Sequence, residues 1–276
     1  MTKFVNLRKK ATGYHAKAVH FDGATFLSTP ALSCVDGPAF SAVLWSKSSS
    51  PGVIDNPGVG CEKMFWSSDP LGNYVNWSAA YEDINGAGGG TDNAFFTLDG
   101  NTGIIEPHSH FTFDVWGCYI LSVETNFSTG NKKYKVYFGD TDVTWYIDAD
   151  GPSSDVFFNG LSFYVGTDTY SNPPFTYANH LPDGRSHTFL GDMADFRIFP
   201  GISLLNGSGD ISLATRRLFI DANGKPVDPA VATSALGTLG AVLLSGDHTA
   251  FPVNQGTGGS FTLTGTLTDA STSPSD

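Results

Sequence analysis

Glutamate and methionine are scarce in this chain: its 27 acidic residues include only four Glu (Glu62, Glu82, Glu106, Glu124), and it has three Met. Both residues favour helix interiors, whereas Asp closes turns through contacts with its own backbone. The shortage argues against a helical fold and places most of the formal net charge of −12 in loops. Such an acidic surface disfavours nucleic acid and anionic lipid as partners. Cysteine is also sparse. Cys34, Cys61 and Cys118 cannot all pair within one chain and lack zinc-knuckle spacing, so each reads as a small buried hydrophobe made in a reducing compartment. The early basic residues are followed by no apolar stretch of signal-peptide type, and no run reaches membrane-spanning length. No Gly-x-Ser-x-Gly elbow, Walker loop or dinucleotide fingerprint occurs, and the glycines from Gly86 to Gly90 lack a phosphate-loop lysine.

The chain is rich in 21 Phe, 10 Tyr, 5 Trp and 32 Gly, the composition of short strands and tight turns. Aromatic or β-branched runs broken by Gly, Asp, Asn, Pro and Ser predict strands near 18–28, 40–47, 62–67, 73–81, 93–98, 111–124, 132–138, 142–147, 161–166 and 187–199. Tyr134, Val136 and Phe138 alternate strictly, and Ser128 to Asn131 reads as a hairpin turn. After Leu204 the pattern changes. Asp210 is positioned to cap a helix over 211–220, and Asp228-Pro229 to open a second that ends by Gly237. Strands at 241–245 and 260–267 precede a Ser/Thr/Pro tail, Ser271 to Asp276, expected to lack structure. The organisation expected is a basic N-terminal arm (1–17, with Lys3, Arg8, Lys9, Lys10 and Lys17), a sandwich (18–203), and a C-terminal extension packed on it (204–276).

Five landmarks in order carry a family resemblance. Ala18 to Ser28, containing Phe21-Asp22-Gly23, resembles the first strand of laminin-G-like domains. Phe40 to Lys47 is similar to the next, whose tryptophan packs between the sheets. Lys133 to Asp140, Leu161 to Gly166 and Phe189 to Phe199 resemble two middle strands and the closing strand. The resemblance implies an all-β, concanavalin A-like (laminin-G-like) antiparallel jelly-roll sandwich, with one or two short helices in its extension. Arg216 to Asp228, Leu243 to Asp247 and Asn254 to Ser260 resemble the ending of laminin-G-like structural proteins of tailed bacteriophages.

A glycanase of this fold needs two carboxylates roughly 5 Å apart, and the Glu-x-Asp-x-x-Glu strand of laminarinase-type relatives is missing. Asp140 with Asp142, and Asp148 with Asp150, have the right spacing but occur in turn contexts. No catalytic residue is assigned. By resemblance, calcium would lie near Asp22 and Asp195, the first and closing strands being neighbours; alternatively Asp22 only forms a turn with Gly23, or a rim site uses Asp168 or Asp183. His108 and His110 share a strand face without a third metal ligand. Trp66 and Tyr81 are further aromatics, but Trp77, Tyr170, Phe175 and Tyr177 are the chosen candidates for a ligand surface.

These readings lead to a non-enzymatic structural or binding module that needs no cofactor and has calcium as the one ion considered. Its expected place is a phage virion (tail, fibre or head decoration), synthesised in the bacterial cytoplasm without a signal peptide. The expected partners are other virion proteins or further copies of itself, and a host surface polysaccharide, with neither nucleic acid nor membrane insertion. A lectin-like glycan binder is the alternative, followed by a glycoside hydrolase with an unfamiliar carboxylate pair.

Overall fold

The computed structural model describes residues 13–49, 61–68, 75–82, 93–98, 103–105, 114–127, 131–144, 158–166 and 189–276, with the backbone alone in 61–68, 75–82, 93–98, 103–105, 126–127 and 131–132. The strands are β1 (Val19–Asp22), β2 (Phe26–Thr29), β3 (Ala39–Ser48), β4 (Cys61–Ser68), β5 (Val75–Glu82), β6 (Asn93–Leu98), β7 (Gly103–Ile105), β8 (Gly117–Phe127), β9 (Asn131–Phe138), β10 (Thr141–Asp142), β11 (Ser162–Val165), β12 (Leu190–Pro200), β13 (Val242–Leu244), β14 (Thr262–Thr264) and β15 (Thr268–Asp269). The helices are α1 (Leu213–Arg216) and α2 (Pro229–Leu236). Among the described residues, one sheet runs β10-β9-β8-β3-β12-β1-β15, with β13 also on β12, and the other runs β14-β2-β11-β4-β5-β6-β7. The first expected strand lies antiparallel to the closing one, with Val19 opposite Met193 and Asp22 opposite Leu190.

The run expected as one strand over 18–28 is two strands in different sheets. The Asp22 carboxylate accepts the backbone N–H groups of Ala24 and Thr25 at 3.0 and 2.9 Å, and Gly23 has a φ of 77°. This side-chain-closed turn steers the chain from the first sheet into the second. The strand expected over 260–267 is shorter, ending at Thr264, and is followed by a second crossing. At Gly265, φ is 85°, and the chain leaves β14 in one sheet for β15 in the other. The two crossings are tied together: Thr25 Oγ1 donates to the Thr266 carbonyl and accepts the Thr266 N–H, at 3.2 and 3.0 Å.

The first sheet is buried on both faces. Along β3, Phe40, Ala42 and Leu44 enter the main core with Phe21, Leu121, Val136, Phe163 and Phe196. Val43 and Trp45 face the other way, into a second cluster with Ile120, Tyr137, Phe199, Phe219, Ile220 and Ala232. Each large apolar side chain buried this way contributes about 1.5–3 kcal/mol. The expectation that Trp45 packs between the sheets is therefore corrected. A strand with period two and almost every residue buried has to use both faces, and Trp45 falls on the outer one, beneath the C-terminal segment.

Ser212, not Asp210, caps α1, which is much shorter than the helix expected over 211–220. The Ser212 side chain accepts the Thr215 N–H, while Asp210 accepts the Tyr137 hydroxyl at 2.7 Å. α2 begins and ends where the sequence predicts, with Asp228 as its cap, Pro229 first, and Gly237 left-handed at 72°. Asp140 fastens α1 to the sheet, because Arg217 reaches its two oxygens at 2.7 and 2.6 Å. Residues 242–269 supply strands to both sheets.

The expectation of an unstructured tail from Ser271 to Asp276 is corrected as well. The Ala270 N–H donates to the Ala18 carbonyl, the Ala16 N–H donates to Ser275 Oγ, and Pro274 is buried. The small hydroxyl residues that suggested disorder here serve as backbone-reach acceptors. No helix among the described residues is long and apolar enough to cross a membrane.

Candidate functional site

β12 carries the polar groups from which a site can be built, and Asp195 is the most enclosed of them. The pairing of β12 with β3 slips between Ala194 and Arg197, and at that bulge Asp195 takes a φ of 45°. Its carboxylate receives the Tyr14 hydroxyl at 2.8 and 2.9 Å from its two oxygens, and the Ser245 hydroxyl on one of them. Burial pushes the Asp195 carboxyl up and Arg197 opposes that shift. Burial and the nearby carboxylate push Tyr14 up, while burial pulls the Arg197 guanidinium down. Arg197 lies 5.7 Å from the centre of the Phe219 ring, and its Nε has no hydrogen-bond partner among the described residues.

Asp22 and Asp195 are not brought together. Asp22 stands opposite Leu190, five residues before Asp195, a separation of roughly 15 Å along a strand. Asp22 spends its carboxylate on its own turn, whose N–H groups hold it below the ordinary carboxylate range. Calcium takes six to eight oxygens, about six being the minimum, and no cluster of three or more His, Cys, Asp or Glu suited to a metal occurs among the described residues. These two aspartates do not fit a shared calcium ion. β1 and β12 are neighbours as expected, but the register offsets the residues.

The outer face of the first sheet presents a second constellation that sequence reasoning missed. His20, Asp192 and Lys47 are successive cross-strand partners on β1, β12 and β3. His20 Nδ1 lies 2.8 Å from one Asp192 oxygen and Lys47 Nζ 2.7 Å from the other. The Asp192 side chain is 5% exposed and that of His20 37%, so a buried carboxylate orients an accessible imidazole. Lys47 Nζ also stands 5.6 Å from the centre of the half-buried Trp116 ring. Lys47 Nζ and Trp116 Nε1 both donate to the Thr272 hydroxyl, at 2.9 and 3.2 Å. Asp114 and Val115, just before Trp116, are exposed. The signal was one of phase: Val19 and Phe21 point inward, so His20 points outward, but only the register joins it to Asp192 and Lys47.

Among the carboxylates with i, i+2 spacing, Asp140 is engaged by Arg216 and Arg217, and Asp142 by Lys135 and the Thr144 N–H. Arg217 is the first cause holding Asp140 below the usual range. Asp148, Asp150, His108, His110, Asp168 and Asp183 lie outside the described residues, as do the expected ligand-surface residues Tyr170, Phe175 and Tyr177. Trp77 is placed only as a backbone position, opposite Leu98 and Ser67. Of the cysteines with described side chains, Cys34 and Cys118 are free, and burial raises the Cys34 thiol to about 12. Neither is poised as a nucleophile.

No protein-family profile and no curated protein matches the chain. Solved structures do match. A protein of Bacteroides ovatus described as a "putative carbohydrate binding protein" aligns over 95% of this chain and 62% of its own, at 14% identity and a TM-score of 0.53. The LG4-5 domains of the mouse laminin alpha1 chain align over 67% of this chain and 42% of theirs, at 9% identity and a TM-score of 0.43. The LG1-3 region of the laminin alpha2 chain aligns over 68% and 32%, at 13% identity and a TM-score of 0.40. The chain thus spans less than two thirds of the length of each of these structures. With its strand order and its likeness to the Bacteroides ovatus structure, the chain has the fold of an antiparallel β-sandwich jelly roll with few helices.

Proposed function

We propose that this protein is a non-enzymatic saccharide-binding module whose ligand surface lies on the outer face of the first sheet. The observation that carries the reading is the row His20, Asp192, Lys47 and Trp116: an indole beside charged and polar groups fixed by a buried carboxylate. An aromatic plane packs against the C–H face of a sugar, while oriented donors and acceptors select its hydroxyls. The description of the Bacteroides ovatus protein accords with this reading. The ion pairs that occupy Asp140 and Asp142 support a binding role over hydrolysis. A glycan array probed with the whole chain tests it: defined saccharides bind, and the signal falls at least about tenfold in Trp116→Ala, as loss of an aromatic anchor predicts. A blank array overturns it.

A second reading concerns context. The resemblance of Arg216 to Asp228 to the ending of tailed-phage structural proteins favours a virion component, assembling with other virion proteins or with further copies of itself. That segment belongs to the layer over the outer face, with Phe219 and Ile220 buried. Under this reading the module attaches a particle to a host polysaccharide. Mass spectrometry of purified particles detects the protein if it is right, and finds no copies if it is wrong.

A further inference from the structure

We propose that the Thr272 hydroxyl occupies the position of a ligand hydroxyl, so that the segment 271–273 acts as an intramolecular competitor for the saccharide site. This rests on the saccharide-binding reading above and adds to it where the ligand enters and what it displaces.

Two donors converge on one oxygen. Lys47 Nζ approaches Thr272 Oγ1 to 2.9 Å and Trp116 Nε1 to 3.2 Å. The lysine belongs to the sheet and is anchored from beneath by Asp192, whereas Thr272 is exposed and follows an exposed Ser271. An exposed hydroxyl held by an indole N–H and an ammonium has the chemistry of a sugar hydroxyl in a lectin-like site. Both donors are already oriented, so a ligand oxygen replaces Thr272 without rearranging the sheet. The ligand class that fits is a pyranose carrying a free hydroxyl beside an apolar C–H face.

The segment is anchored on both sides of Thr272, so the exchange remains local. Before it, the Ala270 N–H holds the Ala18 carbonyl, and β15 is paired to β1. After it, Pro274 is buried and Ser275 Oγ accepts the Ala16 N–H. Displacement therefore breaks two exposed hydrogen bonds and leaves the flanking contacts in place. His20 contributes from the far side of Asp192: its Nδ1 is committed to that carboxylate, and its Nε2 makes no hydrogen bond among the described residues.

The test measures affinity for the strongest saccharide found on the array, by isothermal titration calorimetry, in the intact wild-type chain, Thr272→Val, Thr272→Ser and Lys47→Met. Thr272→Val keeps the shape of the side chain and removes the competing oxygen. It is expected to bind about tenfold tighter, as follows when two modest hydrogen bonds no longer have to be broken. Thr272→Ser keeps the hydroxyl and binds as wild type does, and Lys47→Met loses binding. Equal affinity of Thr272→Val and wild type, with melting temperatures unchanged, overturns the competitor and leaves the saccharide reading standing. A saccharide that binds wild type and Lys47→Met alike overturns both the competitor and the placing of the ligand surface at Lys47, since that ligand sits elsewhere. If neither wild type nor Thr272→Val binds any saccharide, both proposals fall.

Discussion

The Tyr14 hydroxyl bridges both oxygens of Asp195, 181 residues away in sequence, at 2.8 and 2.9 Å. Asp195 sits where the partner of β12 changes from β1 to β13, and Tyr14 and Ser245 approach the carboxylate there. A phenol removed from this arrangement leaves a buried acceptor short of a donor. Tyr14→Phe is expected to lower unfolding stability by about 1.5–3 kcal/mol, the range for hydrogen bonds to charged groups. Urea unfolding checks it, and a midpoint equal to wild type would show that Tyr14 does not hold the junction.

The ring of Phe219 makes the outer layer part of the cooperative fold. It is 1% exposed and packs on Phe199 with ring centres 6.2 Å apart, with Arg197 at its face. Phe219→Ala opens a cavity there and is expected to cost about 3–5 kcal/mol. A single unfolding transition shifted as a whole is the expected observation. A separate early transition of the outer layer alone would contradict it.

Acid weakens the fastening of α1 at Asp140. Arg217 holds this carboxyl below the ordinary range, so its folded pKa lies under the unfolded value of about 3.9. A depressed carboxyl of this kind stabilises the fold above the unfolded pKa, and the contribution fades as pH falls through the folded pKa. Asp140→Asn lacks the titrating group, so its stability is expected to decline less steeply than wild type below about pH 4. Parallel slopes in denaturant midpoints measured across that window would remove Asp140 from the acid response.

Gly265 is required by the second crossing between sheets. Its φ is 85°, and a Cβ there would lie 2.5 Å from Thr25 Oγ1, the atom that ties the two crossings together. Gly265→Ala is expected to cost about 1–3 kcal/mol for a non-glycine residue held left-handed. Differential scanning calorimetry reads the loss, and an unchanged melting temperature refutes the requirement.

The sandwich itself was legible because alternation and turn residues are local properties: Tyr134, Val136 and Phe138 show their inward phase in the chain alone. The cap of α2 was legible for the same reason, since Asp228, Pro229 and Gly237 carry their own backbone preferences. What stayed hidden depends on pairing between distant segments. Nothing in Phe21-Asp22-Gly23 announces that the chain changes sheets there, because the turn is closed by the side chain of Asp22 and fixed by Thr266. Asp195 resembled a metal ligand because its residue type and strand agreed with the resemblance, while its true partners come from Tyr14 and Ser245. The row from His20 to Trp116 was invisible in the same sense: His20, Asp192 and Lys47 lie on three strands that meet only through register, and Trp116 joins them from just before β8.

The position of β12 between β1 and β3 also governs when the protein can become native during synthesis. One flank of this strand comes from residues 19–22, made before it, and the remaining strands of that flank from residues 242–244 and 268–269, made after it. On a ribosome the early strands must wait, unpaired on that side, until residue 269 has emerged. Such long-range closure is slow and leaves strand edges open to other chains. Nascent or truncated forms that stop before residue 242 are thus the species most exposed to aggregation and to capture by chaperones.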